Sequence, residues 1–600
     1  MGWFQVTVEF VLQVTQLNPF SSIIVDQDAS QKPLGLPKEV SHDPGFPSVP
    51  DVNVQPKATF ECHYPELEAQ GWEFCNTETS RDCWIRDPTA NTPSFTQYDV
   101  RTNFETRRHR KDQGKYFNGT YPGPVIEACW GDQLVIHVTN KLADNGTTIH
   151  WHGIRQLGTN LMDGVNGVTQ CPIAPNDTFT YNFTAMQYGH SWYHSHYSSQ
   201  YPDGVAGPLV IHGPSSADWD IDLGPIMITD WVHETAFLAF EAEMTKNVSD
   251  PPPATDSILV NGIGHYNGST DGPYYETVFT PGKNHTLKLI NGASGTSFNF
   301  RIDGHNLTVI ANDLVAVQPF TVEELFIGIG QRYTVIVEGK NDTSTDYWMR
   351  TTPAAACNFF GIAGRGRRSC LKTWVGSQTT PVPTSSPPYS TRLCRGVSIN
   401  TRRTTSLETP LKQGSPQEGP IFGPPGAPYV HWKLGKDPLW LDFDKPTILN
   451  VNESINNPLY RVVEERYDHG FIYVVLDSPD PPRDSPIIPH PMHLHGSDFV
   501  VLGQGNTTWD EATSPEQYFN YENPPRRDTA MIPAGGFLVM AFRPDNPGAW
   551  LLHCHIAWHA SSGLAVQLLV RPTRIPKFGK DTETQRVCKN WVESPLWGAD

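Results

Sequence analysis

The chain has no apolar run near the roughly 18 residues that a membrane-spanning helix needs, which argues against an integral membrane helix. It is poor in positive charge. Its 44 Lys and Arg stand against 63 Asp and Glu, giving a net charge of −19 and a pI near 5.6. With nothing basic clustering along the chain, nucleic acid and anionic membrane surfaces are poor partners. The start lacks the marks of a standard secretory leader: no Lys or Arg opens it, and Glu9 interrupts the partly apolar stretch from Met1 to Leu17. Residues 1–61 therefore read as a signal- or propeptide-like or disordered segment, with 33–56 rich in Pro, Val and Asp. Cysteine is sparse, at ten residues, and one of them sits inside a histidine motif. The remaining nine cannot all pair. Cys75 and Cys83 form a short-range candidate pair.

Turn and strand formers are abundant. With 53 Pro, 49 Gly and many Val, Ile, Thr, Tyr and Phe, the chain reads as all-β with frequent turns. Six hundred residues exceed what one core can organise, so several domains are expected. Short apolar runs bounded by Gly or Asn, such as Gln133–Val138 and Gly207–Gly213, predict strands in a first domain over 62–213. A second domain of the same texture spans 214–395 and a third 396–600. Residues 362–430 break the pattern as an irregular loop or linker. Eleven Asn-x-Ser/Thr sequons point by their density to a glycosylated extracellular surface.

The informative feature is histidine. Ten of the 22 histidines fall in four short clusters: His150-Trp151-His152, His194-Ser195-His196, His490-Pro491-Met492-His493-Leu494-His495, and His553-Cys554-His555 followed by His559. On a strand, alternate side chains face opposite ways. Cys554 then faces one side, and His553 and His555 face the other. A thiolate with two imidazoles suits copper, in the blue-copper pattern, and His490, Cys554 and His559 provide that set. Eight histidines in four His-x-His pairs remain, enough for three further coppers with two, three and three ligands.

In this order the four clusters resemble the copper signatures of the multicopper oxidases. The flanking Asn145–Gly153, Met162-Asp163-Gly164, Arg526-Arg527-Asp528-Thr529 and Phe542–Trp550 look like an ascomycete fungal laccase. The resemblance spans about residues 75–590 and is poor between about 360 and 430. It implies three cupredoxin-like Greek-key β-barrels holding four copper ions. His150 and His493 would serve the type 2 copper. His152, His194, His196, His495, His553 and His555 would serve the type 3 pair. The axial position of the type 1 copper falls at Leu564, which cannot coordinate, so a more oxidising copper is expected. The resemblance also pairs Cys171 with Cys588 and Cys357 with Cys394, leaving Cys62, Cys129 and Cys370 without partners.

Two acids carry further expectations. Asp163 is either a turn aspartate before glycine or an acid near the type 2 copper that relays protons to reduced oxygen. Asp256 either opens a strand as a loop residue or corresponds to the acid that holds the phenol and accepts its proton. Trp558 is either a core residue or, as in the family, edges the substrate pocket beside an exposed His559. The C-terminal Trp-Gly-Ala-Asp lacks the Asp-Ser-Gly-Leu ending that plugs the channel to the cluster in many ascomycete laccases, so that plug is not expected.

The implied function is a secreted, monomeric copper oxidase of phenols and aromatic amines that reduces dioxygen to two waters, with neither nucleic acid nor membrane as partner. A ferroxidase or other specialised multicopper oxidase is the alternative within enzymes. A non-catalytic copper-binding protein is the alternative outside them.

Overall fold

The computed structural model describes residues 61–64, 68–86, 99–108, 115–143, 145–245, 255–264, 274–341, 346–354, 430–435, 437–465, 471–478, 488–507, 523–575 and 581–594, with short strand segments and single residues elsewhere. The fold is all-β, in three two-sheet barrels of cupredoxin-like type. In the first barrel, Thr178–Thr184 lies antiparallel to Gln133–Thr139, which runs parallel to Asp99–Arg108. From the N-terminal segment, Thr7–Val11 and Gln13–Val14 add short parallel strands here. The facing sheet orders Ile126–Cys129, Ala206–His212, Gly189–Ser195 and Ile149–Trp151. Trp151, Phe179, Tyr181, Phe183 and Tyr193 fill the space between the sheets. These β-branched and aromatic strands close on each other because burying one face of each is the dominant gain.

The second barrel orders Ser257–Val260, Ile221–Trp231, Asn284–Asn291, Arg332–Glu338, Leu307–Asn312 and Val315–Val322 in one sheet. It sets them against Leu325–Ile327, Phe298–Ile302 and Met349–Pro353. The third barrel packs the sheet of Ile472–Asp477, Phe537–Phe542, Phe499–Gly505 and Arg526–Arg527 on that of Val462–Glu465, Ala565–Val570, Gly548–Cys554, His490–Leu494 and Thr529–Ile532. Gly548–Cys554 is buried along its whole length because it is a central strand with packing on both faces. Within 362–430, Leu407–Glu408 pairs with Ile472–Asp477. Cys357, Cys370 and Cys394 lie outside the described residues, and so does the expected Cys357–Cys394 bridge.

Among the described residues three disulfides are formed: Cys62–Cys129, Cys75–Cys83 and Cys171–Cys588. Cys62 and Cys129, which had no assigned partner, therefore join to each other. The physical reason is that the chain after residue 61 closes one end of the first barrel. The Tyr64 hydroxyl donates to the Trp130 carbonyl at 3.0 Å, and Trp84 Nε1 donates to the Tyr64 hydroxyl at 2.8 Å. Two lone histidines read as structural stay so. His137 Nδ1 meets Thr180 Oγ1 at 2.8 Å, and His212 Nε2 lies 3.6 Å from Glu127.

Cys171–Cys588 ties the C-terminal helix Thr582–Val592 to the first barrel across 417 residues of sequence. Asp581 caps that helix by accepting from Thr584 N–H at 2.7 Å. Arg586 donates to Asp177 at 2.6 Å, and Trp591 packs on Tyr197, the residue after His196. Cys588→Ala should lower stability in denaturant by about 2–5 kcal/mol, the usual cost of a lost native disulfide. An unchanged unfolding midpoint would mean that the Trp591 packing and the Arg586–Asp177 pair hold the helix unaided.

Candidate metal centres

Strand alternation sorts each histidine motif into a core side and a cluster side. Trp151, Tyr193, Leu494 and Cys554 point into barrel cores. Their neighbours His150, His152, His194, His196, His493, His495, His553 and His555 point the other way, into the seam between the first and third barrels. Register completes the assembly: His194 lies opposite His150 across one strand pair, and His493 opposite His553 across another. The rings of the two barrels meet across the seam, with His150 stacked on His495 at 3.9 Å and His152 on His493 at 3.9 Å between centroids.

The thiol site is separate. Cys554 Sγ lies 3.7 Å from His490 Nδ1 and 3.6 Å from His559 Nδ1, with all three residues buried. Burial pushes the Cys554 thiol well above its usual range and lowers His490 to about 4. An anionic sulfur in this setting needs a cation beside it. Leu564 is fully buried near the sulfur, and its carbonyl accepts from Cys554 N–H at 3.0 Å. Trp432 covers one face of His559, with ring centroids 3.8 Å apart and planes 23° apart.

In the cluster the outward ring nitrogens of five histidines are held by fixed partners. His150 Nδ1 meets the Asp163 carbonyl at 2.7 Å, His194 Nδ1 the Ser195 carbonyl at 2.9 Å, and His493 Nδ1 the Asp528 carbonyl at 2.9 Å. His495 Nδ1 meets Asp163 Oδ2 at 2.8 Å, and His553 Nδ1 the Cys554 carbonyl at 2.8 Å. Each carbonyl or carboxylate accepts the Nδ1 proton and so leaves a lone pair on Nε2. These lone pairs converge. His150 Nε2 is 3.5 Å from His493 Nε2, His495 Nε2 is 3.1 Å from His553 Nε2, and His152 Nδ1 is 3.2 Å from His555 Nε2. The buried Nε2 of His194 has no hydrogen-bond partner. Burial first, and neighbouring rings second, depress His152, His194, His196, His493 and His495 well below the normal range. Neutral donors aimed at one another in a dry seam fit metal cations.

Of the two sequence-predicted acids, the structure brings one to the cluster. Asp163 is fully buried and bridges His150 and His495, with Oδ1 3.4 Å from His150 Nδ1. Asp256 sits half-buried before the edge strand Ser257–Val260, where its Oδ2 accepts from His233 N–H at 2.7 Å. A chain of neighbours links it to the His559 segment. Thr255 is 3.5 Å from Thr296, Asp230 binds both Thr296 and Ser294, and Ser294 O accepts from Ala557 N–H at 2.8 Å. His559, expected to be exposed, is buried, and Trp558 is buried as its core reading has it. Trp558 packs with Trp192, Met227 and Ile290 because the helix Ala557–Ser561 docks on the second barrel.

Sequence reasoning missed Trp432, Gly330, Arg332 and the carboxylate of Asp528. Asp528 Oδ1 lies 3.4 Å from His152 Nε2 and 3.6 Å from His493 Nδ1. The signal for Arg332 was a lone charge opening the apolar strand Arg332–Glu338, since an unpaired charge is rarely buried there.

Comparison with known proteins agrees with this geometry. Models of the multicopper oxidase family match residues 100–216, 222–363 and 436–574. The chain belongs to that family. Within it, the similarity runs to fungal laccases. A laccase of Arthroderma benhamiae is 38% identical over 93% of this chain and 92% of its own length. Laccase-2 of Botryotinia fuckeliana is 41% identical over 86% of this chain and 90% of its own. The crystal structure of the Botrytis aclada laccase superposes with a TM-score of 0.69 at 37% identity, covering 87% of this chain and 98% of that one. Fet3p, a multicopper oxidase that functions in iron import, shares the fold at 24% identity and a TM-score of 0.65. The cofactors are four copper ions: one type 1, one type 2 and two type 3.

The depressed imidazoles make a pH prediction for copper-free protein. His490 and His553 titrate at about 4 when folded and near 6.5 when unfolded. Between these values the unfolded chain binds protons that the folded chain refuses, so stability falls as pH is lowered through the window. The unfolding temperature of copper-free protein should drop from about pH 6.5 to about pH 4. A flat profile for the copper-free form would contradict neutral, buried rings.

Proposed function

We propose that the chain is a secreted laccase, taking electrons singly from phenols and aromatic amines and reducing dioxygen to two waters. The observation that carries this reading is the two-sided segment at 553–555. Cys554 faces the buried His490 and His559, while His553 and His555 face the eight-histidine cluster. One residue step therefore joins two metal sites, and the 2.8 Å contact from His553 Nδ1 to the Cys554 carbonyl adds a second link. When bound, copper supplies the one-electron redox chemistry. The chain supplies geometry, proton routes and exclusion of water.

His490, Cys554 and His559 are assigned to type 1 copper, with Leu564 at the axial position. His150 and His493 are assigned to type 2, and His152, His194, His196, His495, His553 and His555 to the type 3 pair. The Asp163 carboxylate touches His150 and His495 at once. That position suits it to hold and pass protons to reduced oxygen. Asp256 is the acid assigned to accept the phenolic proton as the electron leaves toward His559. The chain acts as a monomer, with no nucleic acid or membrane partner. Among the described residues no helix is long and apolar enough to cross a membrane. Three disulfides support secretion, as do exposed sequon asparagines such as Asn176, Asn284 and Asn452. A ferroxidase is not favoured, because the relatives at 38–41% identity over most of the chain are named laccases. A non-catalytic copper store is not favoured, because storage needs no thiolate link between centres.

Cys554→Ser should abolish the blue absorbance and phenol-driven oxygen uptake while about three coppers per chain remain. Loss of all copper, or retained uptake, would overturn the assignment. Asp256→Asn should lower kcat/KM for phenols on the order of a hundredfold, with little change for a substrate that loses an electron but no proton. Equal losses for both substrates would remove Asp256 from proton acceptance.

A further inference from the structure

The second barrel carries none of the clustered histidines, yet it reaches their seam. Its segment Gly328–Arg332 lies against the cluster. A Cβ on Gly330 would come within 3.1 Å of both His152 and His555, and Gln331 Nε2 donates to the Thr529 carbonyl at 3.0 Å. Arg332 follows, fully buried. Its Nη1 and Nη2 donate to Asp528 Oδ1 and Oδ2 at 2.6 and 2.7 Å, and Nη1 also donates to the Gly330 carbonyl at 3.1 Å. Asp313 of the same barrel accepts from Arg527 Nε and Nη2 at 3.1 Å each, from Arg332 N–H at 3.0 Å and from Asp528 N–H at 3.1 Å. Two guanidiniums and two carboxylates thus form a closed, charge-balanced set between the second and third barrels. The first barrel makes room for it: Gly153, which ends His150-Trp151-His152-Gly153, leaves space where a side chain would strike Arg332 and Asp528.

Such a set is an expensive way to join domains. Desolvating four charges generally offsets their mutual attraction, and apolar packing of equal volume would hold as well or better. Burial alone would raise Asp313, but Arg527 and Arg332 hold it below the usual carboxylate range. Burial does raise Asp528, against the pull of Arg332. What the set achieves is orientation. The Asp528 carbonyl takes His493 Nδ1, and its Oδ1 accepts from Thr529 Oγ1 at 2.9 Å. That hydroxyl lies 3.2 Å from His152 Nε2 and 3.1 Å from His493 Nδ1. One residue therefore sets the ring positions of two histidines from different barrels.

We propose that Arg332 is a positioning residue for oxygen reduction. Its bidentate grip on Asp528 fixes His152 and His493, and so makes the second barrel part of the oxygen site. The proposal rests on the ligand reading given above.

The test is Arg332→Lys, which keeps the charge but cannot form the two-pronged contact, with Asp313→Asn as a second variant. Both are compared with the parent for copper content, the type 2 electron paramagnetic resonance signal, anaerobic bleaching of the blue band by a phenol, and reoxidation by dioxygen. The expected result is a blue band and bleaching rate within about twofold of the parent. With it should come an altered or missing type 2 signal and at least tenfold slower reoxidation. Selective loss of type 2 copper supports the proposal equally. Reoxidation and type 2 signals like those of the parent in both variants would overturn it. So would uniform loss of all copper and of the blue band in both, which marks a general folding role. If the parent itself lacks four coppers, the ligand reading fails instead.

Discussion

Lone pairs on buried imidazoles repel one another unless a cation lies between them, and this constraint organises the molecule. Five of the eight cluster histidines have an outer nitrogen held by a carbonyl or carboxylate, which turns the free lone pair inward. The inward pairs of His150 and His493, His495 and His553, and His152 and His555 each join two barrels or two strands. The barrels therefore meet at a seam whose chemistry is unfavourable without metal. Copper bound there should therefore add to the stability of the seam.

The thiolate site depends on the same alternation from the opposite face. Cys554 is part of the apolar core of the third barrel, where a bare thiolate would be costly. His490 and His559 close around it, Trp432 covers His559, and Leu564 offers no further ligand. The sulfur is buried, and Cys554 lies one residue from His553 and His555 of the histidine cluster. The second barrel contributes through contacts rather than ligands: Gly330 and Arg332 at the cluster, and Ser294 behind Ala557.

Much of this was legible in the sequence because strand alternation is local. A His-x-His pair with an aromatic or apolar residue between needs no long-range information to predict one face toward metal and one toward the core. Gly153 was legible as part of the motif but not for its reason, which is the approach of Arg332 and Asp528 from two other barrels. Arg332, Asp313 and Trp432 lie far in sequence from the histidines they serve, and only folding brings them near. The Cys62–Cys129 bridge escaped for the same reason, since it depends on how the chain after residue 61 packs on the first barrel. The burial of His559 was not legible because Trp432, which covers it, lies far away in sequence.

The central claim is that one chain assembles a thiolate centre and a three-metal oxygen centre that act together. The most direct measurement is the electron balance of the purified protein, taken alongside its copper content and visible spectrum. The account predicts about four coppers per chain, an intense blue band, and four one-electron phenol oxidations for each dioxygen consumed, with no peroxide released. Two electrons per dioxygen with peroxide accumulating, or a blue band without oxygen uptake, would contradict it.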